Sequence, residues 1–134
     1  MKNWIEEWVV MAQDFEGNET ELDEFCTLDK AKTFIKLNLY KKCLEEYTCL
    51  KIYKIREFRD YTLEEEPRFV FWKNKYSVEQ FDKNGTQTRY LECKNYKEAL
   101  EIYKEFKEDK NTEVCIVNHN ILDEDKQIVK IRKI

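Results

Sequence analysis

One stretch of the sequence matches another when the chain is shifted by 68 positions, and this internal match constrains the fold more than any other feature. The chain has only two glycines, and at this shift Gly85 coincides with Gly17. Seven further identities accompany them: Asp82 with Asp14, Val78 with Val10, Trp72 with Trp4, Thr88 with Thr20, Glu92 with Glu24, Ala99 with Ala31, and Lys104 with Lys36. Because a repeat fixes the architecture of a chain, the sequence predicts two copies of one unit, 1–67 and 68–134, related by a pseudo-twofold axis.

Each copy has the pattern of two strands joined by a tight turn, followed by an amphipathic helix and one or two further strands. In the first copy we expect strands at 4–15, 19–26 and 48–58, and a helix at 28–46 that is N-capped by Thr27. In the second we expect strands at 76–81, 88–93, 114–121 and 127–134, and a helix at 96–109 that is N-capped by Asn95. Residues 69–72 either close the first sheet or open the second. This pattern predicts an α+β fold with antiparallel sheets, each covered by one helix on one face.

The first predicted strand is apolar on both faces, since Trp8 and Val10 alternate with Val9 and Met11. A strand of this kind needs cover on both sides. One helix covers one face, so the other face meets the sister unit or a second chain. A homodimer is therefore one expected arrangement.

The composition limits the class of protein. Hydrophobic residues make up 42% of the chain and charged residues 39%, which allows a core beneath a densely charged surface. The N-terminal residues lack the pattern of a signal peptide, and no apolar run approaches the roughly 20 residues of a membrane helix. The five cysteines are scattered, which predicts reduced thiols in a cytoplasmic protein.

The strongest local bias is a run from Asn3 to Asp29 that contains nine acidic residues and no basic one. Residues 1–67 hold 10 Lys and Arg against 16 Asp and Glu, a net charge of −6. Six of the carboxylates cluster around the first hairpin: Asp14, Glu16, Glu19, Glu21, Asp23 and Glu24. We interpret them as a surface for a protein partner with a basic surface; alternatively, they only keep an edge strand soluble.

A second candidate site interleaves basic and aromatic residues. Lys51, Tyr53 and Arg56 lie on the predicted third strand, and Lys130 and Arg132 lie on the last strand. A sheet face of this composition binds nucleic acid or a nucleotide by stacking bases and neutralising phosphates. The overall charge of −4 opposes such binding, because phosphates are repelled at long range.

Signatures of catalysis are weak. The single histidine, His119, is four residues from Cys115, and four strand residues span roughly 13 Å, whereas a catalytic pair needs about 3 Å. The sequence has no metal-ligand spacing and no glycine-rich phosphate loop, so we predict no metal and no cofactor. Glu24 and Glu92, which occupy matching positions, leave open a carboxylate enzyme as a background hypothesis.

These observations predict a small non-enzymatic binding or inhibitory protein of the cytoplasm that uses the acidic hairpin. By analogy, a short duplicated chain of this kind is typical of phage or mobile-element proteins that block host machinery. Nucleic-acid or nucleotide binding is the alternative.

Overall fold

The computed structural model describes residues 7–56 and 62–134. Within these ranges the elements are β1 (Trp8–Asp14), β2 (Glu19–Phe25), α1 (Leu28–Asn38), β3 (Tyr47–Arg56), β4 (Thr62–Leu63), β5 (Phe69–Trp72), β6 (Tyr76–Phe81), β7 (Gln87–Cys93), α2 (Tyr96–Phe106), β8 (Glu113–Asn118) and β9 (Ile128–Arg132). Two short 3₁₀ helices lie at Lys42–Leu44 and Glu124–Lys126. The chain divides into a first compact unit that ends at Lys73 and a second that spans Asn74–Ile134.

The boundary between the units differs from the one expected at 67/68. It lies after Lys73 because β5 pairs antiparallel with β3, with Cys49 opposite Trp72 and Ile52 opposite Phe69. The apolar segment 69–72 therefore closes the first sheet. Part of the continuation expected beyond β3, residues 57–61, lies outside the described residues.

The first unit is an antiparallel sheet with the order β2-β1-β3, in which β3 also pairs with both β4 and β5. β3 has ten residues, long enough for β5 to pair along Cys49–Ile52 while β4 pairs at Ile55 and Arg56. β2 pairs with β1 and lies at one end of the strand order.

The second unit is an antiparallel sheet with the order β7-β6-β8-β9. Its first two strands form a hairpin, its helix follows the hairpin, and β8 returns beside β6. The two units thus share the element order strand-strand-helix-strand, after which the first unit has two further strands and the second has one. The predicted α+β class, with two antiparallel sheets and two helices, is confirmed.

Both helices begin at the predicted N-cap. Thr27 Oγ1 accepts a hydrogen bond from the Lys30 amide at 3.2 Å, and Asn95 Oδ1 accepts one from the Glu98 amide at 2.9 Å. Each bond satisfies one of the amides that a first helical turn leaves unpaired. Neither helix crosses a membrane, since each has 11 residues and, within 7–56 and 62–134, no helix is long and apolar enough to span one.

Helix α1 ends at Asn38, earlier than the sequence pattern indicates. The Asn38 side-chain amide donates to the Phe34 carbonyl at 2.7 Å, and Lys41 is extended, with φ −68° and ψ 144°. The apolar residues beyond it keep an approximate helical spacing, but Leu44 belongs to the 3₁₀ helix instead. That spacing alone therefore overestimates the length of α1.

Each sheet has a core on its helical face. In the first unit the buried members are Trp8, Val10, Ala12, Ala31, Ile35, Leu50 and Ile52. In the second they are Val78, Cys93, Ala99, Tyr103, Phe106, Val114 and Ile116. Val9 and Val10, which point to opposite faces of β1, are both fully buried, as the apolar composition of this strand predicts.

Candidate functional site

The turn of the acidic hairpin is built around the carboxylate of Asp14. Its Oδ1 accepts hydrogen bonds from the amides of Glu16 and Asn18, each at 2.9 Å. The Asp14 amide donates to the Asn18 carbonyl at 3.0 Å, which closes the loop. Gly17 has φ +89°, a left-handed conformation that glycine adopts without strain. Of the six predicted hairpin carboxylates, Asp14 therefore serves the turn itself.

A β-bulge gathers three glutamates of β2 on the face opposite α1. The pairs across the hairpin on this face are Glu19 with Gln13, Glu21 with Met11, and Glu24 with Val9. The register shifts between Val10 and Met11, so Leu22 is an extra residue on β2. Leu22 and Phe25 both pack against the core of the first unit. The glutamates are exposed at one end of the strand order.

Glu19 is already paired within the first unit. The Tyr53 hydroxyl donates to Glu19 Oε1 at 2.6 Å, and Lys51 Nζ lies 3.5 Å from the same oxygen. Burial, and then the hydrogen bond to this carboxylate, raise the pKa of Tyr53 well above its ordinary value. The two candidate sites therefore meet here, because Glu19 of the acidic hairpin neutralises Lys51 of the basic and aromatic set.

The other β2 carboxylates are crowded against each other. A hydrogen bond to the Glu24 side chain raises the pKa of Glu21, and desolvation and the negative charges of Glu24 and Asp23 raise it further. Asp23 is exposed, and its Oδ1 accepts from the Glu24 amide at 2.8 Å. Such an array of exposed acceptors suits charge-assisted hydrogen bonds from lysine or arginine side chains.

The cations of the second candidate site are in contact with neighbours inside their own units. Arg132 donates to three carbonyls after the end of α2: Nη1 to Lys107 at 2.6 Å, and Nη2 to Asp109 at 2.9 Å and Thr112 at 2.7 Å. It thereby satisfies the carbonyl of Lys107, the C-cap of α2, and holds the loop that follows the helix. Lys130 Nζ lies 5.3 Å from the centre of the Tyr103 ring. The Arg56 side chain lies outside the described residues.

His119 contacts a serine that the sequence does not single out. It follows β8 in a turn, and its Nε2 lies 2.8 Å from Ser77 Oγ, which also donates to Glu79 Oε2 at 3.1 Å. Ser77 is fully buried. A serine nucleophile must reach its substrate, so this arrangement is a buried polar network rather than a catalytic pair. Only the pairing of Tyr76 with Asn118 brings the two residues together, and that register is not readable from the sequence.

A polar cleft of about 380 Å³ lies at one end of the second unit. It is lined by Gln80, Asp82, Lys83, Asn84, Thr88, Asp109, Asn111 and Thr112. Gln80 is fully buried, and both ends of its amide are bonded: Nε2 to the Phe106 carbonyl and Thr112, and Oε1 to Thr88 and Arg89. The buried amide thus has no bonding capacity directed at a ligand, and it holds the cleft walls together instead.

Within the described ranges, no three His, Cys, Asp or Glu side chains are placed to hold a metal ion. Glu24 belongs to the first unit and Glu92 to the second, where Glu92 accepts from the Tyr90 hydroxyl at 2.9 Å. All five cysteines are free: Cys26 and Cys43 are exposed, and Cys49, Cys93 and Cys115 are buried.

Comparison of the chain with protein-family models, with curated proteins and with solved structures gave no match.

Proposed function

We propose that this chain is a small non-enzymatic binding protein of the cytoplasm whose acidic hairpin, Asp14–Glu24, binds a basic surface on a partner protein. The observation that carries the proposal is the position of β2, at one end of the strand order with Glu21, Asp23 and Glu24 exposed. Lysine and arginine side chains of a partner would pair with these carboxylates and would steer its approach.

The crowding of the carboxylates favours binding over simple protection of an edge. A charged edge strand prevents aggregation, but like charges that lie close together destabilise a sheet. The hydrogen bond to Glu24, desolvation and then the charges of Glu24 and Asp23 all raise the pKa of Glu21, so repulsion is one part of this shift. A cationic partner would relieve it, so the repulsion within the free protein contributes to the affinity of the complex.

Charge reversal tests the proposal. The hairpin variant carries Glu16→Lys, Glu21→Lys and Glu24→Lys, and Glu19 is left intact because it holds Tyr53. The matched control carries the same charge change on exposed residues of α2 and the turn after it: Glu101→Lys, Glu105→Lys and Glu108→Lys. Proteins that the wild-type chain retains from a lysate of the natural host cells are identified by mass spectrometry. The affinity of each purified partner is then measured for the wild type, the hairpin variant and the control.

We expect the hairpin variant to bind its partner at least tenfold more weakly than the wild type and the control to bind within twofold of it. The wild-type affinity should also fall with added salt, since exposed charges are screened. Equal affinities for the hairpin variant and the α2 control would contradict the proposal.

Nucleic-acid or nucleotide binding stays the alternative prediction, and it requires Lys51 to leave Glu19. A titration of labelled single-stranded DNA at increasing salt separates the two functions. Micromolar, salt-sensitive binding that Lys51→Ala abolishes would favour the alternative. The hairpin charge reversal would then strengthen binding, because it removes repulsion of the phosphates.

We also propose that the two units arose by duplication, pack about a pseudo-twofold axis, and belong to an inhibitory protein of a phage or mobile element. The shared element order and the matching N-caps Thr27 and Asn95 support the duplication. Spin labels test the axis in a chain whose exposed Cys26 and Cys43 are replaced by serine. One sample carries labels at positions 16 and 104, and a second carries them at the matching positions 84 and 36. The distance between the two labels should be the same in both samples. Unequal distances would exclude the axis, and sedimentation velocity would detect a homodimer.

A further inference from the structure

The tip of the acidic hairpin carries an exposed aromatic side chain. Phe15 is 81% exposed, the largest exposed fraction among the large hydrophobic side chains of the described residues. It follows the last residue of β1 and lies between Asp14 and Glu16. A phenylalanine in water loses the favourable free energy that its burial would contribute, and a partner that covered Phe15 would recover this free energy.

The second unit shows that the turn itself does not require phenylalanine. Asp82 Oδ1 accepts from the amides of Asn84 and Thr86 at 2.8 and 3.0 Å, and the Asp82 amide donates to the Thr86 carbonyl at 2.9 Å. Gly85 has φ +79°. These bonds and this conformation repeat those of Asp14, Asn18 and Gly17, yet the residue that corresponds to Phe15 is Lys83.

The charges around Phe15 indicate which class of molecule would bury it. Glu16 is exposed beside it in the turn, and the carboxylates of β2 lie along the same hairpin. Nucleic acid and anionic membrane surfaces carry negative charge and would be repelled. A protein surface with an apolar pocket between lysine and arginine side chains is complementary to the hairpin in both polarity and charge.

We propose that Phe15 is the apolar anchor by which the hairpin binds its protein partner, inserting into a pocket whose rim of Lys and Arg pairs with the hairpin carboxylates. This inference rests on the proposed function and adds the residue that dominates the affinity. Interfaces commonly have such a division of roles, with a central aromatic residue in a desolvated pocket and charged pairs around it.

Photocrosslinking of the full chain tests the anchor. Benzoylphenylalanine replaces Phe15 in one sample and Lys83 in the matched control, and both are irradiated in a lysate of the natural host cells. Proteins that form adducts are identified, purified and titrated against the wild type, Phe15→Lys and Lys83→Phe. Because Phe15→Lys copies the turn of the second unit, it is expected to fold, and circular dichroism checks this.

We expect adducts at position 15 but not at 83, and a loss of affinity for Phe15→Lys of roughly 30-fold, as for other buried aromatic anchors. Lys83→Phe should bind within twofold of the wild type. Failure to form an adduct at position 15, equal yields at both positions, or a loss below tenfold for Phe15→Lys would overturn the inference. If charge reversal at Glu16, Glu21 and Glu24 still weakens binding in those cases, the proposed function stands without the anchor; if it does not, both fail.

Discussion

Removal of the Tyr53 hydroxyl is the most direct test of how the Glu19 side chain of β2 is held by β3. The hydroxyl donates to Glu19 at 2.6 Å, and Tyr53 is only 6% exposed. Tyr53→Phe removes this bond and keeps the ring, so the packing of the core is unchanged. Glu19→Ala removes the same bond from the other side and leaves a buried hydroxyl without its acceptor.

The structure gives an expected magnitude for each variant. A hydrogen bond to a charged group contributes about 1.5–3 kcal/mol, and an unsatisfied buried group costs about 1–3 kcal/mol. The Glu19 side chain is 31% exposed, so water replaces part of the bond. We therefore expect Tyr53→Phe to lower the free energy of unfolding by about 1 kcal/mol and Glu19→Ala by about 2 kcal/mol. In the Tyr53→Phe background, Glu19→Ala should cost less than about 0.5 kcal/mol, because no hydroxyl is left unpaired.

Urea unfolding of the four proteins of this double-mutant cycle measures the coupling, expected at about 1.5 kcal/mol. Glu21→Ala provides the control, because Glu21 shares the strand and the face but not the bond to Tyr53. Its removal should leave stability unchanged or raise it, since Glu21 is repelled by Glu24 and Asp23. A coupling below about 0.5 kcal/mol between Glu19 and Tyr53 would refute the reasoning. Glu19 would then be as available to a partner as the other hairpin carboxylates.

Two further predictions concern buried polar groups. Gln80→Leu should lower the free energy of unfolding by about 2–4 kcal/mol, since it leaves the partners of a buried amide unpaired; urea unfolding checks this, and a loss below about 1 kcal/mol would contradict the network. Stability should also fall as the pH rises from about 9 to 11, because burial raises the pKa of Cys49 and Cys115 to about 11 while the unfolded thiols ionise near their ordinary value. Each thiol contributes about 2–3 kcal/mol to this loss, and a Cys49→Ala, Cys115→Ala double variant should show a flatter pH profile.

Local signals in the sequence predict much of the fold. Gly17 and Gly85 mark the turns, because a glycine adopts the positive φ that each turn requires. Thr27 and Asn95 mark the helix starts, because their side chains accept hydrogen bonds from amides three residues further along the chain. The predicted end of α1 at 46 was wrong, since the helix ends at Asn38 and the apolar spacing continues into the 3₁₀ helix. Boundaries that depend on packing are less visible in a sequence than turns and caps are.

Long-range contacts explain what the sequence does not reveal about the site. Arg132 bonds to carbonyls about 20 to 25 positions away, and Tyr53 reaches Glu19 across the sheet. These partners depend on strand register, which residue types alone do not specify. Lys51 and Arg132 therefore look like free cations in the sequence, while in the structure each contacts oxygen atoms of its own unit.

The extra residue in β2 has a consequence for how the hairpin tolerates changes in chain length. Leu22 and Phe25 are three positions apart, so a regular strand would send them to opposite sides; the bulge allows both to reach the core. Deletion of Leu22 would restore regular alternation while keeping Phe25 inward and Glu19, Glu21 and Glu24 together on the outer side. The hairpin can thus lose one residue at this point with its charged surface preserved, whereas a deletion elsewhere in β2 would reverse the orientation of the side chains between the cut and the bulge.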